Sequence, residues 1–180
     1  MKEELLILVD EQDNEIGTIE KWPAHQKALL HRAFSVFIFN SKGELLLQQR
    51  AYGKYHSPGL WSNTCCSHPL KGESIEESIS RRLMEEMGMI CDLHFQFKFI
   101  YHHTFDNGLT EHEFDHVYFG ISDSTPVLNP DEVNAWRYLS MKKLEEEINQ
   151  NPENFTAWLK ICLPEIKLYF EKMDFEKSEI

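Results

Sequence analysis

The chain has 180 residues, of which 42% are hydrophobic and 12% aromatic, so it fits one globular domain that spans residues 1–180. Its net charge of −12 at pH 7 argues against a nucleic-acid partner, because nucleic-acid binding depends on neutralising phosphates. No run of about 18 uncharged apolar residues is found, and the N-terminus lacks the apolar core of a signal peptide. We therefore expect a cytoplasmic protein with no membrane partner, either a monomer or a weak homodimer.

Two strand pairs are predicted in the first 50 residues. Residues 5–9 form an apolar strand, a polar turn follows, and residues 16–19 return as a second strand. Residues 33–39 and 44–50 are apolar strands, and Asn40-Ser-Lys-Gly43 between them predicts a hairpin turn. The segment after them, residues 51–72, is rich in proline and glycine, and a loop of this length in a compact domain is usually functional.

The next segment carries the clearest helix signals in the chain. Ser74 and Glu77 have the spacing of a capping box, and Gly88 supplies a stop. Apolar residues recur every fourth position and form one stripe: Ile75, Ile79, Leu83 and Met87. The spacing predicts a helix that starts after Ser74 and packs this stripe against a core.

Two strands with alternating side chains follow the helix. Residues 94–101 alternate, which predicts that their aromatic side chains share one face: Phe95, Phe97, Phe99 and Tyr101. Residues 111–121 form another strand, and its odd positions place three carboxylates on one face: Glu111, Glu113 and Asp115. Residues 141–173 are predicted to be helical, with interruptions near Pro152 and Pro164. Strands with helices between and after them indicate an α+β domain.

The four cysteines have no secretory context, so we expect free thiols rather than disulfides. Cys65 and Cys66 are adjacent in the long loop. Cys91 and Cys162 lie among apolar residues and are predicted to be buried.

The helix after the loop also carries charged pairs at helical spacing. Arg81 lies four residues before Glu85, and Arg82 lies four residues before Glu86, so each pair meets on one face. Such pairs are often only a solvated surface. Here, however, they follow a long loop and end at Gly88, and this arrangement resembles the Nudix box, the helix that carries diphosphate-bound metal in Nudix proteins.

Two departures from that box change what it implies. Nudix hydrolases have a glycine where this chain has Ser67, and a metal-binding glutamate where it has Arg82. An arginine removes a metal ligand and adds a rigid fork of donors that suits phosphate oxygens. The helix is therefore predicted to hold a diphosphate rather than to cleave it.

The loop adds the motif Asn63-x-x-Cys66-x-His68-Pro69, and a strand adds Glu111-x-Glu113. With Tyr101 upstream and two histidines near the N-terminus, the whole set resembles type I isopentenyl-diphosphate Δ-isomerase. The resemblance extends from Glu20-Lys21 to Phe155-x-x-Trp158. It implies a Nudix-like fold, in which a mixed β-sheet is packed between α-helices.

The resemblance also implies an activity in isoprenoid biosynthesis, the conversion of isopentenyl diphosphate to dimethylallyl diphosphate. The double bond moves by addition and elimination of a proton through a carbocation, which requires an acid and a base on opposite faces of the substrate. By analogy these are Cys66 and Glu113. Tyr101 would hydrogen-bond Glu113, and the π face of Trp158 would stabilise the cation.

Two metal sites and a diphosphate site are implied as well. The ligands of the first metal, Mn²⁺ or Zn²⁺, would be His25, His31, His68, Glu111 and Glu113. Glu86, together with the Cys66 carbonyl, would hold Mg²⁺ bridged to the diphosphate. The diphosphate itself would be bound by Lys21, Arg50, Lys54 and Arg82. Six further polar residues have no assigned role: Cys65, Asp115, His94, His102, His103 and His112. Asp115 shares a face with the two glutamates and could orient a ligand.

Two alternatives belong to different functional classes. A Nudix-type pyrophosphohydrolase would release phosphate from nucleoside diphosphate derivatives, but Arg82 replaces one of its metal-binding glutamates. A non-catalytic metal-binding module would hold metal without turnover. Such a module would have no use for Cys66 and Tyr101 beside Glu113.

Overall fold

The computed structural model describes residues 4–173. Its strands are β1 (Leu5–Val9), β2 (Glu15–Glu20), β3 (His31–Phe39), β4 (Glu44–Arg50), β5 (Trp61–Ser62), β6 (Cys65–Ser67), β7 (Leu93–Thr104), β8 (Thr110–Ile121) and β9 (Val133–Ser140). Its helices are α1 (Lys21–Gln26), α2 (Ile75–Met87), α3 (Met141–Gln150) and α4 (Ala157–Phe170), with a short 3₁₀ turn at Pro152–Asn154. The predicted single domain over 1–180 also includes residues 1–3 and 174–180, which lie outside the described residues.

Strand β3 is the centre of one mixed sheet. It pairs in parallel with β8 along its whole length, from His31 opposite Glu113 to Phe39 opposite Ile121. It also pairs antiparallel with β6, where Ser35 lies opposite Cys66. The short β6 is thus placed beside β3 by the loop, and β8 lies on the other side of β3.

The predicted turn between β3 and β4 is present, but the hairpin that it closes is very short. The two strands pair only where Phe39 meets Leu45. On its other edge β4 pairs along its whole length, over seven residue pairs, with β9, a strand that was not predicted. The hairpin ends early because β6 occupies the edge of β3 that β4 would otherwise take.

The predicted caps of α2 are confirmed. The Ser74 side chain accepts a hydrogen bond from the Glu77 amide at 3.1 Å, and the Glu77 carboxylate accepts one from the Ser74 amide at 2.9 Å. Gly88 ends the helix with a left-handed φ of 60°. A Cβ at that position would lie 2.6 Å from the Val127 carbonyl oxygen, so glycine is required by both conformation and space.

Hydrophobic cores lie on both faces of the sheet. On one face, Phe37 and Phe119 pack with apolar residues of α3 and α4. On the other face, Val36 and Ile38 pack with the buried stripe of α2. This alternation along β3 confirms the predicted α+β class, with a mixed sheet between helices.

The alternation predicted for residues 94–101 is wrong at its first aromatic residue. Phe95 lies opposite Tyr118 and Phe97 opposite Val117, so a β-bulge leaves one extra residue in β7 between them. The bulge turns Phe95 to the α2 side, where it contacts the Tyr118 ring and is 51% exposed. Phe97, Phe99 and Tyr101 stay on the other face.

Three further predictions need correction. The loop over residues 51–72 contains β5 and β6, and the short helix α1 was not predicted. Pro164 does not interrupt α4, because the helix continues through it with buried residues on either side. Cys162 is buried as predicted, whereas Cys91 is only partly buried. The predicted Arg81–Glu85 pair is present at 3.4 Å, and Arg81 also makes two hydrogen bonds of 2.8 Å to Glu73, which was not predicted.

Among residues 4–173, no helix is both long and apolar enough to cross a membrane.

Candidate functional site

One face of the β3–β8 pair changes character along its length. In β8, Glu113 and Asp115 precede Val117 and Phe119 on the same face, and all four side chains are buried. The apolar end lies beneath α4, and the polar end opens into a cavity. The cavity is lined by Lys21, Ser35, Arg50, Lys54, Tyr55, His56, Cys66, Ser67, His68, Arg82, Glu86, Tyr101, Glu111, Glu113 and Trp158.

Beside the cavity, five buried side chains come together as a candidate metal site. They are the predicted ligands His25, His31, His68, Glu111 and Glu113, and each offers a ligand atom within 4.8 Å of the others. His25 Nε2 lies 3.1 Å from Glu111 Oε2, and His68 Nε2 lies 2.7 Å from Glu113 Oε1. These residues come from α1, β3, β8 and the segment after β6, so only the folded chain assembles them.

The hydrogen bonds of two histidines fix which ring nitrogen faces the cluster. His25 Nδ1 lies 2.7 Å from the Lys21 carbonyl oxygen, and His31 Nδ1 lies 2.8 Å from the Leu29 carbonyl oxygen. Each Nδ1 therefore carries the proton, and each Nε2 presents a lone pair. Within the described chain, His25 Nε2, His31 Nε2 and Glu111 Oε2 are buried without a hydrogen-bond partner. Burial also holds the pKa of His68 well below its usual value, which keeps that imidazole neutral. Converging imidazole nitrogens and carboxylate oxygens fit a divalent metal ion.

The adjacent cysteines Cys65 and Cys66 have side chains in different environments. Cys66 lies in β6 opposite Ser35 and lines the cavity. Cys65 is fully buried in the core on the α2 side. Burial raises the pKa of Cys66 to about 12, so this cysteine is a protonated thiol at neutral pH.

Glu113 is the most highly connected carboxylate of the cavity. Its Oε2 accepts a hydrogen bond from the Tyr101 hydroxyl at 2.6 Å, and its Oε1 faces His68. Burial alone would raise the pKa of Glu113, but the nearby His31 ring and the Tyr101 hydrogen bond are among the neighbours that outweigh burial and lower the pKa to about 2. Burial and the Glu113 charge hold the pKa of Tyr101 well above its usual value, so its hydroxyl remains a donor.

Four cations line another part of the cavity wall. Lys54 pairs with Glu132, and Arg82 Nη2 lies 2.5 Å from Glu86 and 3.0 Å from Glu132. Lys21 and Arg50 make no ion pair with the carboxylates of the described residues. The Nε atoms of Arg50 and Arg82 are also buried without a hydrogen-bond partner in this part of the chain. Partly buried cations with unsatisfied buried donor atoms suit an anionic ligand.

Trp158 is held by contacts on its edge and on its face. Its Nε1 donates to the Ser62 hydroxyl at 2.9 Å and to Asn63 Oδ1 at 3.2 Å. The Arg50 guanidinium carbon lies 5.1 Å from the ring centre, which is a cation–π distance. The indole is thus fixed in the cavity wall and already contacts a positive charge.

The sequence prediction missed three residues of this cavity region. His56 is buried, with Nε2 3.2 Å from Glu111 Oε1. Tyr55 lines the cavity, and the Lys21 ammonium lies 5.3 Å from its ring centre. Glu132 pairs with two of the cations. His56 and Tyr55 belong to the loop, and no spacing rule connects them to the motifs.

The residues left without a role are placed as follows. Asp115 is buried beside the glutamates, accepts a hydrogen bond from the Ser35 hydroxyl at 2.8 Å, and has a pKa raised to about 8 by burial and by Glu113. Four histidines do not line the cavity: His94, His102, His103 and His112. Cys65 is a core residue.

Comparisons with known proteins show which family this chain resembles. The NUDIX domain family matches residues 29–159. Isopentenyl-diphosphate Delta-isomerase 2 of Aromatoleum aromaticum is 51% identical over 164 residues, which cover 91% of this chain and 87% of that protein. Isopentenyl-diphosphate Delta-isomerase of Pectobacterium atrosepticum is 50% identical over 173 residues, which cover 96% of this chain and 97% of that protein.

Among solved structures, DR0079 of Deinococcus radiodurans superposes with a TM-score of 0.77 at 25% identity, covering 90% of this chain and 98% of that one. The MutT protein of Methanosarcina mazei superposes with a TM-score of 0.59 at 20% identity, covering 83% and 96%. The second likeness concerns the fold alone.

Proposed function

The chain belongs to the isopentenyl-diphosphate Delta-isomerases of the Nudix superfamily, and from this premise we propose how its cavity converts isopentenyl diphosphate to dimethylallyl diphosphate in isoprenoid biosynthesis. One observation carries the proposal. Cys66 and Glu113 lie on strands to either side of β3 and line the same cavity, whose wall also holds cations without ion-pair partners.

The reaction needs one proton in and one proton out. A proton added to the terminal methylene carbon leaves a tertiary cation at the neighbouring carbon, and removal of a proton on its other side forms the new double bond. The overall composition is unchanged, and no electrons are gained or lost. An unactivated alkene is a very weak base, so both proton transfers require positioned groups.

Cys66 and Glu113 would be these two groups. One delivers a proton and the other removes one, and because the reaction is reversible, the acid of one direction is the base of the other. Tyr101 supports Glu113 through the 2.6 Å hydrogen bond, which fixes the carboxylate and stabilises its charge. The thiol of Cys66 and the carboxylate of Glu113 provide one transferable proton and one acceptor.

Trp158 would stabilise the cation between the two transfers. Its edge is held by Ser62 and Asn63, so the ring does not reorient when positive charge develops. Cation–π attraction in a desolvated site contributes about 2 kcal/mol.

The diphosphate would be bound by Lys21, Arg50, Lys54 and Arg82. Buried guanidinium donors without partners favour an anion, and the planar Arg fork matches phosphate oxygens. Glu86 and the Cys66 carbonyl would hold Mg²⁺ against the diphosphate. Arg82 stands where Nudix hydrolases have a metal-binding glutamate, so hydrolysis is less well supported.

The cluster of three histidines and two glutamates would hold a second metal, Mn²⁺ or Zn²⁺. A divalent ion there supplies positive charge that organises the carboxylates of the cavity. The residues suit a metal ion because His25 Nε2, His31 Nε2 and Glu111 Oε2 are buried without a hydrogen-bond partner among the described residues. We also propose a cytoplasmic location, where the free thiols stay reduced, and a monomer or weak homodimer.

The test is a reaction with isopentenyl diphosphate and Mg²⁺ in D₂O. Enzyme acids exchange with solvent, so deuterium should appear in the new methyl group of dimethylallyl diphosphate and, by reversal, in recovered isopentenyl diphosphate. A pyrophosphohydrolase would release phosphate without carbon-bound deuterium. A metal-binding module would give neither released phosphate nor dimethylallyl diphosphate. Dimethylallyl diphosphate without deuterium would contradict the acid–base mechanism.

A further inference from the structure

His56 in the loop between β4 and β5 forms part of the cavity wall but lies outside the five-ligand cluster. Its side chain is buried, and its ring stacks on Phe105 at 5.0 Å between centroids. The edge of the same ring meets Trp158 at 5.7 Å. These aromatic contacts, from the turn between β7 and β8 and from α4, hold the imidazole in one orientation.

In that orientation His56 faces one oxygen of Glu111. Its Nε2 lies 3.2 Å from Glu111 Oε1, while the other oxygen, Oε2, lies 3.1 Å from His25 Nε2. Oε2 is buried without a hydrogen-bond partner in the described chain, and so is His25 Nε2. The two oxygens of Glu111 therefore have different surroundings, one facing His56 and the other facing the cluster.

We propose that His56 is a positioning residue that donates its Nε2–H to Glu111 Oε1 and so holds Oε2 toward the metal. A neutral imidazole has one N–H, and an adjacent carboxylate favours the tautomer that places it on Nε2. A carboxylate that binds a metal through one oxygen is fixed by a donor on the other, and loss of such a donor typically weakens metal binding about 10–100-fold. This inference rests on the metal site of the proposed function.

The experiment measures metal affinity of the chelator-stripped protein, by competition for Zn²⁺ and for Mn²⁺ with a chromogenic chelator. His56→Phe keeps a ring against Phe105 but has no donor, and its dissociation constants should rise about tenfold to a hundredfold. His56→Gln places an amide N–H near the position of Nε2 and should recover most of the affinity. His102→Phe, an exposed histidine outside the cavity, is the control and should match the wild type.

The outcomes separate this inference from the proposed function. Unchanged affinity in His56→Phe overturns the inference alone. A His56→Gln variant that binds as weakly as His56→Phe also overturns it, because restoring an N–H donor would then not restore the affinity. A wild-type chain that binds neither metal overturns the inference together with the metal site. Thermal melts identify misfolding, and if His56→Phe fails to fold, His56→Asn replaces it, because its shorter amide does not reach Oε1.

Discussion

The two ends of one sheet face show how this protein separates stability from chemistry. Strands β3 and β8 pair in a continuous parallel register, and the same face carries His31 and Glu113 at one end and Phe37 and Phe119 at the other. The backbone geometry is the same at both ends. Only the side chains differ, and they change from ionisable to aromatic within a few residues.

Because the two ends differ in this way, the apolar end must compensate for the free-energy cost of the polar end. Burial of each aromatic side chain contributes roughly 2–3 kcal/mol to folding. Buried charges cost free energy unless they are well paired, and the cluster atoms without partners make the polar end unfavourable in the absence of metal. Substitutions at the polar end should therefore affect activity, whereas substitutions at the apolar end should affect the free energy of unfolding.

The largest effect is expected for Cys66→Ala. It removes one of the two proton-transfer groups, so turnover should fall about 10²–10⁴-fold, roughly 3–5 kcal/mol of barrier, while the melting temperature stays close to wild type. Cys65→Ala is the matched control, because Cys65 lies in the α2-side core, and it should keep most activity. Steady-state kinetics on both variants decide the matter. A greater loss of turnover in Cys65→Ala than in Cys66→Ala would show that the role belongs to Cys65 and not to Cys66.

At the apolar end, Phe119→Ala should lower the free energy of unfolding by about 3–5 kcal/mol, because it leaves a cavity against Phe37 and Phe39. Denaturant titration of metal-stripped protein measures the change. Glu111→Gln at the polar end should leave this quantity unchanged or raise it, since a buried carboxylate is removed. A Glu111→Gln variant that loses as much stability as Phe119→Ala would contradict the division between the two ends.

Arg82→Glu should weaken substrate binding, because a negative charge then faces the diphosphate. Removal of one partner from a buried charge pair costs about 2–5 kcal/mol, so KM should rise at least about tenfold. Arg81→Glu makes the same charge change one residue earlier, outside the cavity lining, and should leave KM near wild type. An unchanged KM in Arg82→Glu would show that this arginine does not touch the substrate.

The smallest effect concerns Trp158. A phenyl ring has a smaller π face than an indole, so Trp158→Phe should retain more turnover than Trp158→Ala, with a loss of about 2 kcal/mol or less. Both variants also lose the Nε1 hydrogen bonds, and this loss should lower turnover equally in the two. Comparison of kcat for the two variants measures the contribution of the ring. Equal losses would mean that the side chain acts through packing alone.

Local signals in the sequence predicted the elements on which the site rests. The apolar runs of β3 and β4 and the capping box of α2 depend on neighbouring residues only, and the structure confirms them. Strand β9 was missed because its pairing with β4 is non-local. The bulge before Phe97 was missed because its neighbours read as a regular alternation.

The candidate site shows the same limit. The five cluster residues were predicted through a family resemblance, and the structure brings them together, although their role as ligands stays a prediction. His56 could not be predicted, because its contacts with Glu111, Phe105 and Trp158 come from three distant parts of the chain. Contacts that only the folded chain creates leave no periodic signal.

The pairing of β3 with β6 and β8 has a consequence for protein engineering. Residues on the same face of a strand recur every second position, about 6.6 Å apart. A slip of β6 along β3 by one residue would turn Cys66 away from the cavity, and a slip by two would move its thiol past a five-carbon substrate. The acid–base separation therefore changes only in large steps. A designer who wants to accept a longer allylic chain should therefore leave the register of these strands untouched.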